Sequence, residues 1–431
     1  MVMRVQDFPR PADRSVRGIH WSASVYHPSG SSLNWWINEL LAMHIKWVKL
    51  LDDGKGSSRE VCGSLLDNGI IPIVRLYRHC PNPGHLCAKE KETVGHLHAL
   101  GVRYFETNNE PNLPVEWKDG EWLEGGRPEV VMEHWLRDAR MVIELGGYPA
   151  FPALAQCAHH GESGSIPWYV KAFAWLHDHA YEAARDVFTS GAWIAVHDAV
   201  LNHCYREGYS WHFEYPYDPI CQEDQPGKTI MLDDNSLIGH RVPATLLHEH
   251  FGLRVPVIST EGGIFAPNGG WQQWDDRYPG YDYEGHAERV VAMFEWLRVN
   301  AEDYFFAMCP WLIANERMGH SDPAWTQDAW YRDGRELPVI AAVKAMGPEP
   351  VAPLPMPLEL ALLHASWNKR GLAYNPDAAF PTYAREYDLG SPLTPEFDVR
   401  WEGRVYRVQG FTGAIVYAEV GDWGNVQSLA W

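Results

Sequence analysis

The chain has 431 residues, of which 46% are apolar, and a formal net charge of −20. A strongly negative chain is a poor partner for nucleic acids and other polyanions, whereas its charge places no restriction on binding neutral sugars. No apolar run is long enough to span a membrane, and the first residues lack the apolar core of a signal peptide, so we expect a cytoplasmic protein, or a secreted one that has lost a leader.

The cysteine content indicates the redox compartment of the protein, and the aromatic content indicates the kind of ligand it could bind. The seven cysteines are dispersed and odd in number, which does not suit a disulfide framework and favours a reducing compartment. Cys80 and Cys87 lie close enough in sequence to pair, and this question stays open. The chain also contains 21 Trp and 20 Tyr. Because Trp serves both cores and sugar-stacking surfaces, this surplus fits a carbohydrate groove.

Strand-like and helix-like runs alternate through roughly the first 345 residues. The predicted strands are Arg17–Ser24, Ile45–Leu51, Ile70–Tyr77, Arg103–Thr107, Tyr148–Ala155, Ala192–His197, Val255–Thr260 and Tyr304–Leu312. The predicted helices are Leu33–His44, Ser58–Asp67, Glu90–Leu100, Glu129–Leu145, Pro167–Tyr181, Pro243–Phe251, Gly285–Asn300 and Pro338–Met346. Such alternation predicts parallel strands with crossover helices, and eight units close into a (β/α)8 TIM barrel. A doubly wound sheet would carry a Gly-rich turn after its first strand, and the chain has none there.

One segment interrupts this alternation. Residues 201–239 separate the sixth strand from its helix, and connections longer than about 15 residues are usually functional or disordered. The segment contains Trp211, Phe213, Tyr215 and Tyr217. We therefore expect an ordered connection that walls one side of the barrel mouth.

A second region follows the barrel, which is predicted to span residues 1–346. Residues 347–371 include a proline-rich stretch typical of a stiff linker. Residues 372–431 are predicted to form a small β-rich accessory domain, either a glycan-binding module or a structural cap. Its predicted elements are a helix at Pro376–Glu386 and strands at Phe397–Trp401, Tyr406–Phe411 and Ala414–Glu419.

Two glutamates stand at strand ends that face the barrel mouth. Glu110 closes the fourth predicted strand in Asn109-Glu110-Pro111, and Glu261 closes the seventh, before two glycines. Barrel enzymes keep their reactive groups at the carboxyl ends of strands. Two carboxylates converging there form the minimal apparatus for breaking a glycosidic bond, and the amide of Asn109 can donate to a sugar hydroxyl.

This pattern resembles clan A of the glycoside hydrolases, which includes families 5 and 39. The resemblance covers roughly residues 15 to 345 and rests on Asn109-Glu110-Pro111 after the fourth strand with Glu261 ending the seventh. It implies retaining hydrolysis, with Glu110 as acid/base, Glu261 as nucleophile and carboxyl groups about 5 Å apart. The expected substrate is a β-linked, largely neutral oligosaccharide or polysaccharide, and no cofactor is required.

Other residues match the clan less closely. Trp311, at the end of the eighth strand, resembles the clan's sugar platform, with a core position as the alternative. His197, ending the sixth strand, matches a position whose side chain faces the nucleophile or the substrate. The clan often has a tyrosine two residues later, where this chain has Ala199. Tyr205 and Tyr283 are therefore the candidates to hydrogen-bond the nucleophile.

Polar residues at other strand ends have two interpretations each. Arg75, on the third strand, either orients the nucleophile or substrate, or forms an ion pair within the barrel. Lys49 and Asp52-Asp53 end the second strand and either meet sugar hydroxyls or lie in a solvated loop. His20 and Trp21, on the first strand, either contact substrate or belong to the core.

The 21 histidines predict no metal centre. Pairs such as His177 and His179, or His248 and His250, are two residues apart and would point in different directions on a helix. We therefore predict a glycoside hydrolase without a metal or cofactor. The alternative is a carbohydrate-binding barrel with little turnover, anchored to polysaccharide through the accessory domain. The sugar, endo or exo action and the oligomeric state stay open.

Overall fold

The protein is described by a computed structural model covering residues 2–118, 120–123, 125–156, 161–267, 274–315, 323–349, 378–401 and 403–431, with residues 358 and 362. Its contacts divide the chain into two compact units, Met1–Ala352 and Pro353–Trp431. The predicted linker at 347–371 lies almost entirely outside the described residues.

The first unit is built on eight parallel strands. They are β1 (Gly18–His20), β2 (Trp47–Asp52), β3 (Ile71–Leu76), β4 (Tyr104–Glu106), β5 (Tyr148–Phe151), β6 (Trp193–Ala199), β7 (Val257–Gly263) and β8 (Phe305–Met308). They pair in chain order, each parallel to the next. A parallel bridge between Arg17 and Met308 joins the two edges, so the sheet is nearly closed. The predicted (β/α)8 barrel is confirmed.

Each strand is followed by a helix. They are α1 (Gly30–Ala42), α2 (Arg59–Asp67), α3 (Ala88–Leu100), α4 (Pro128–Glu144), α5 (Ser165–Ser190), α6 (Arg241–Phe251), α7 (Tyr283–Asn300) and α8 (Pro338–Ala345). Helix α5 is longer than predicted because it continues past a single non-helical residue, Ala180.

The barrel is filled at its base by large side chains. Trp47, Tyr104, Trp193 and Phe306 belong to one buried interior cluster. A larger apolar cluster lies between the strands and the surrounding helices. Because the base is packed with aromatic rings, polar side chains and ligand space are left to the carboxyl ends of the strands.

The long connection after β6 is ordered, as predicted. It contains a hairpin of Tyr205–Glu207 with Ser210–His212 and a short helix, Pro219–Asp224. Asp218 caps that helix by accepting a hydrogen bond from the Cys221 amide at 3.1 Å.

The second unit contains a helix, α9 (Ala379–Glu386), and one antiparallel sheet. Its strands are β9 (Phe397–Trp401), β10 (Arg404–Gly410), β11 (Ile415–Glu419) and β12 (Gln427–Leu429). The sequence predicts only the first three, because the fourth is short and mostly exposed.

Two further expectations are settled by the described residues. Cys80 and Cys87 are both free thiols, so they do not pair. Within the described part of the chain, no helix is long and apolar enough to cross a membrane.

Candidate active site

Glu110 follows β4 in an unusual backbone conformation. Its φ is +35°, a region that residues with a Cβ rarely adopt and that costs about 1–3 kcal/mol. Hydrogen bonds fix this turn: the Glu110 amide donates to the carbonyl of Ala153 at 3.0 Å, and the Glu110 carbonyl accepts from the Leu113 amide at 2.9 Å. The side chain is therefore held by its backbone at the barrel mouth.

Glu261 is aimed by an irregularity in β7. Val196 of β6 pairs with Ser259 and His197 pairs with Glu261, so Thr260 is the extra residue of a β-bulge. Bulges redirect side chains and are frequent beside active sites. The bulge places Glu261 opposite His197.

Gly262 makes the close approach of β6 and β7 possible. Its φ is +107°, and a Cβ at this position would lie 2.5 Å from the carbonyl group of Asp198. Only glycine fits both the conformation and the space.

The two glutamates and one histidine converge. One carboxylate oxygen of Glu110, one of Glu261 and one ring nitrogen of His197 all lie within 4.8 Å of one another. The structure thus brings the carboxyl groups of Glu110 and Glu261 close together. Their side chains are 21% and 15% exposed, so both reach the solvent-accessible mouth.

Basic groups surround the Glu261 carboxylate. Its Oε1 atom lies 3.2 Å from Arg75 Nη1, 3.5 Å from His20 Nε2 and 3.7 Å from Lys49 Nζ. Burial acts to raise the pKa of Glu261, but the charges of His197 and Lys49 and the contact with His20 outweigh it and hold that pKa well below its usual range. The carboxylate is therefore ionised at neutral pH.

His197 lies between the two glutamates. Its Nδ1 is 2.7 Å from Glu110 Oε1, and its Nε2 is 3.7 Å from Glu261 Oε1. Burial disfavours the charged imidazole, but the two carboxylates outweigh it and raise the pKa of His197. His20 differs, because burial lowers its pKa to about 4 despite the neighbouring Glu261.

Arg75 connects both halves of the site through Asn109. The same guanidinium nitrogen that faces Glu261 donates to the side-chain oxygen of Asn109. The amide nitrogen of Asn109 in turn donates to Glu116 Oε1 at 2.8 Å. The structure thus shows the ion pair within the barrel that was one of the two interpretations of Arg75, and its partner is Glu261.

Glu116 is a site residue that the sequence does not reveal. It lies in a 3-10 turn after β4, and no local pattern distinguishes it from a surface glutamate. Burial raises its pKa, with Arg75 and Asn109 acting in the opposite direction and the charge of Glu110 adding to the rise. Its only sequence signal is its distance of six residues from Glu110 in a loop that leaves the same strand.

Trp311 borders the site from beyond β8. Its ring centroid lies 4.4 Å from that of His20 and 5.0 Å from that of Trp325. The side chain is mostly buried, and its indole N–H has no hydrogen-bond partner among the described residues. Trp311 belongs to a small buried cluster with Leu312 and Ala329, so its burial fits the core alternative.

Three expected site residues lie elsewhere. Trp21 is fully buried in the strand–helix core, with its ring 6.1 Å from that of Trp36. Tyr205 stacks on His212 at 4.8 Å. Tyr283 accepts a hydrogen bond from Arg332. The structure gives neither tyrosine a hydrogen bond to the nucleophile candidate, whose partners are the basic groups described above.

The polar end of β2 is structural. Lys49 is completely buried, with Nζ 2.7 Å from Glu106 Oε2. Asp52 is buried and accepts hydrogen bonds from the amide and hydroxyl of Ser58 at 2.9 and 2.6 Å. Asp53 accepts from backbone amides of its own turn, including that of Lys55. The interpretation of these residues as sugar contacts therefore has no support in the geometry.

The Glu110–His197–Glu261 cluster is also the one described group with the spacing of a metal site. Carboxylates and an imidazole are suitable ligands for several divalent cations. However, the positively charged side chains of Arg75 and Lys49 lie next to Glu261 and would repel a metal cation there. The site is therefore better suited to reactions of its carboxyl groups than to binding a metal ion.

Comparison with known proteins finds distant structural likeness. No family model and no curated protein matches this chain. A monomeric beta-xylosidase from Caulobacter crescentus has 15% identity over 93% of this chain and 74% of its own, with a TM-score of 0.48. A rice beta-glucosidase has 13% identity over 80% of this chain and 99% of its own, with a TM-score of 0.43. A Parabacteroides merdae beta-glucuronidase has 10% identity over 77% and 36%, with a TM-score of 0.40. Structural likeness this distant does not support assigning an activity to this chain.

Proposed function

We propose that this protein is a retaining β-glycoside hydrolase that uses Glu261 as nucleophile and Glu110 as acid/base. The observation that carries the proposal is the approach of the two carboxylates, with one oxygen of each within 4.8 Å. Retaining enzymes hold their carboxyl groups about 5–5.5 Å apart, whereas inverting enzymes leave about 6.5–9.5 Å for a water molecule.

The surroundings of the two glutamates distinguish their roles. Glu261 faces Arg75, Lys49 and two histidines, which keep it ionised and suit it to attack. Glu110 is hydrogen-bonded through Oε1 to His197, which leaves Oε2 for the departing oxygen. Different environments for two carboxyl groups are what acid and nucleophile roles require.

The reaction proceeds in two displacements. In the first, a Glu261 oxygen bonds to the anomeric carbon, the glycosidic C–O bond breaks, and Glu110 gives its proton to the leaving oxygen. In the second, Glu110 takes a proton from water, the water oxygen bonds to the anomeric carbon, and the ester bond to Glu261 breaks. The histidine between the glutamates remains hydrogen-bonded to Glu110 and positions it.

Charge pairing around the site supports a neutral sugar. Lys49 already faces Glu106, and Arg75 already faces Glu261. Both cations already have a carboxylate partner, so binding the carboxylate of a uronic acid would have to displace an existing ion pair. The β linkage follows from the resemblance to clan A.

The test measures hydrolysis of aryl β-glycosides and β-linked polysaccharides by the wild type, Glu110→Gln and Glu261→Gln. We expect both variants to lose roughly three orders of magnitude or more in kcat. Glu288→Gln is the matched control, because this glutamate is half exposed on α7 and pairs with Arg206. NMR spectra recorded early in the reaction should show that the product has the same anomeric configuration as the substrate. Saccharide binding without turnover in every version would favour the carbohydrate-binding alternative.

A further inference from the structure

One cavity lies outside the candidate active site. Its volume is about 790 Å³, within the range of about 300–1,000 Å³ typical of small-molecule sites. The connection after β6 forms one wall and residues 274–277, after β7, form the other. Neither glutamate of the candidate pair lines it. Because both walls leave the carboxyl ends of β6 and β7, the cavity lies on the same face of the barrel as the pair.

The two walls are fastened together. The side-chain amide of Asn202 donates to the Asp275 carbonyl at 2.8 Å and accepts from the Asp275 amide at 2.9 Å. His203 Nε2 lies 3.1 Å from Asp275 Oδ2. Arg277 extends from the second wall to Asp224 at 3.3 Å. The cavity is thus formed before any ligand arrives, which lowers the entropic cost of binding.

Both of its cations are already paired with carboxylates. Lys228 Nζ lies 2.6 Å from Asp233 Oδ2, and Arg277 lies 2.5 Å from Asp275 Oδ2. Asp276 is exposed and adds a further negative charge. This balance disfavours an anionic ligand. Hydroxyl groups, which donate to carboxylates and accept from ammonium and guanidinium groups, match such a lining.

One aromatic surface completes the cavity. Trp274 is 43% exposed, and its ring centroid lies 5.0 Å from that of Tyr281. An indole supported in this way presents a flat apolar face, on which the C–H face of a sugar ring can pack. Paired charges that suit hydroxyls and a flat aromatic face together describe a saccharide site.

We propose that this cavity binds a remote sugar unit of a neutral oligosaccharide whose reacting bond lies at Glu110 and Glu261. The inference rests on the proposed function for the position of the reacting bond, but not for saccharide binding itself. It makes the enzyme selective for chains over single glycosides.

The experiment compares Trp274→Ala and Trp274→Phe with Tyr209→Ala. Tyr209 is the matched control, because it is 96% exposed at the hairpin tip of the same connection and does not line the cavity. Substrates are aryl β-monoglycosides and β-linked gluco-, xylo- and manno-pentaoses. For Trp274→Ala we expect a roughly five- to tenfold lower kcat/KM on the preferred pentaose through KM, and unchanged turnover of the monoglycoside. The kcat/KM of Trp274→Phe on the pentaose should lie between those of Trp274→Ala and the wild type. Its thermal unfolding temperature should equal that of the wild type. Equal losses on both substrates, or none, would overturn the proposal.

A binding measurement separates this proposal from the proposed function. Tryptophan-fluorescence titration with the pentaoses is carried out on Glu261→Gln with and without Trp274→Ala. Weaker pentaose binding in the double variant supports the cavity even if no version of the protein hydrolyses any glycoside. Equal affinity in the two would exclude the cavity even if hydrolysis is confirmed.

Discussion

Arg75 Nη1 lies 3.2 Å from Glu261 Oε1, and the same nitrogen donates to Asn109, the residue before Glu110. One guanidinium on β3 therefore joins the end of β7 to the turn after β4. It fixes the direction of the Glu261 carboxylate and contributes positive charge beside it.

Replacing Arg75 with Met should lower kcat/KM by about 10- to 100-fold at neutral pH. A hydrogen bond to a charged group contributes about 1.5–3 kcal/mol, and about 1.4 kcal/mol is a factor of ten in rate. Losing this positive charge raises the pKa of Glu261, so the acid limb of the pH–rate profile should move to higher pH. Arg206→Met, which removes a surface cation, serves as control. An acid limb that stays in place would contradict the role given to Arg75.

Lys49→Met should destabilise the fold by about 3–5 kcal/mol, because it leaves the buried Glu106 carboxylate without its partner. Urea denaturation measures the free energy of unfolding. The double variant Lys49→Met with Glu106→Gln should recover part of the loss, since no buried charge then remains unpaired. Equal stabilities of the single variant and the wild type would show that the pair is not a structural requirement.

Asp233 gives a pH-dependent contribution to stability. Burial acts to raise its pKa, but hydrogen bonds from Lys228 and Tyr215 outweigh it and lower the pKa to about 2. A lowered carboxyl pKa stabilises the fold above its unfolded value of about 3.9, and that stability is lost as the pH falls through the folded value. Asp233→Asn should therefore lose about 2 kcal/mol more at pH 7 than at pH 2.5.

Unfolding in urea at both pH values tests this, with Asp186→Asn, an exposed carboxylate on α5, as control. A loss for Asp233→Asn that is the same at both pH values would show that the ion pair with Lys228 does not contribute.

Glu116 should act as a positioning residue for Asn109. Glu116→Ala removes the acceptor of the Asn109 amide and should lower kcat/KM by about tenfold, the value of one charge-assisted hydrogen bond. Glu116→Gln retains an acceptor and should restore most of the activity. If Gln and Ala are equally impaired, the charge rather than the hydrogen bond is what matters.

The barrel and its two glutamates could be predicted because they depend on local patterns. Eight β-prone runs alternate with helical runs, and Glu110 and Glu261 each end such a run before Pro or Gly. The alternation of side chains along a strand also separates His20 from Trp21, since successive residues point to opposite faces. His20 faces the barrel interior, so Trp21 packs outward among the helices.

The sequence offered Arg75 and His197 as neighbours of Glu261 only among alternatives, and it gave no sign that His20 and Lys49 would join them. They come from β1, β2, β3 and β6, and their meeting depends on the register between strands and on the bulge at Thr260. Tyr205 and Tyr283 were the expected partners. Instead, the Tyr205 ring stacks on His212, and the Tyr283 hydroxyl accepts a hydrogen bond from Arg332. Glu116 was missed because a loop, whose path no periodicity describes, brings it back to Asn109.

The glycine that follows Glu261 restricts how this protein can be redesigned. Since a side chain at position 262 would collide with the backbone of Asp198, libraries that vary this position will yield unfolded or displaced strands rather than new specificities. Residues 201–239 start from the end of the same strand as His197 but carry their own internal hydrogen bonds. If the proposed function holds, that connection is where sequence variation can alter substrate choice while Glu110 and Glu261 stay in place.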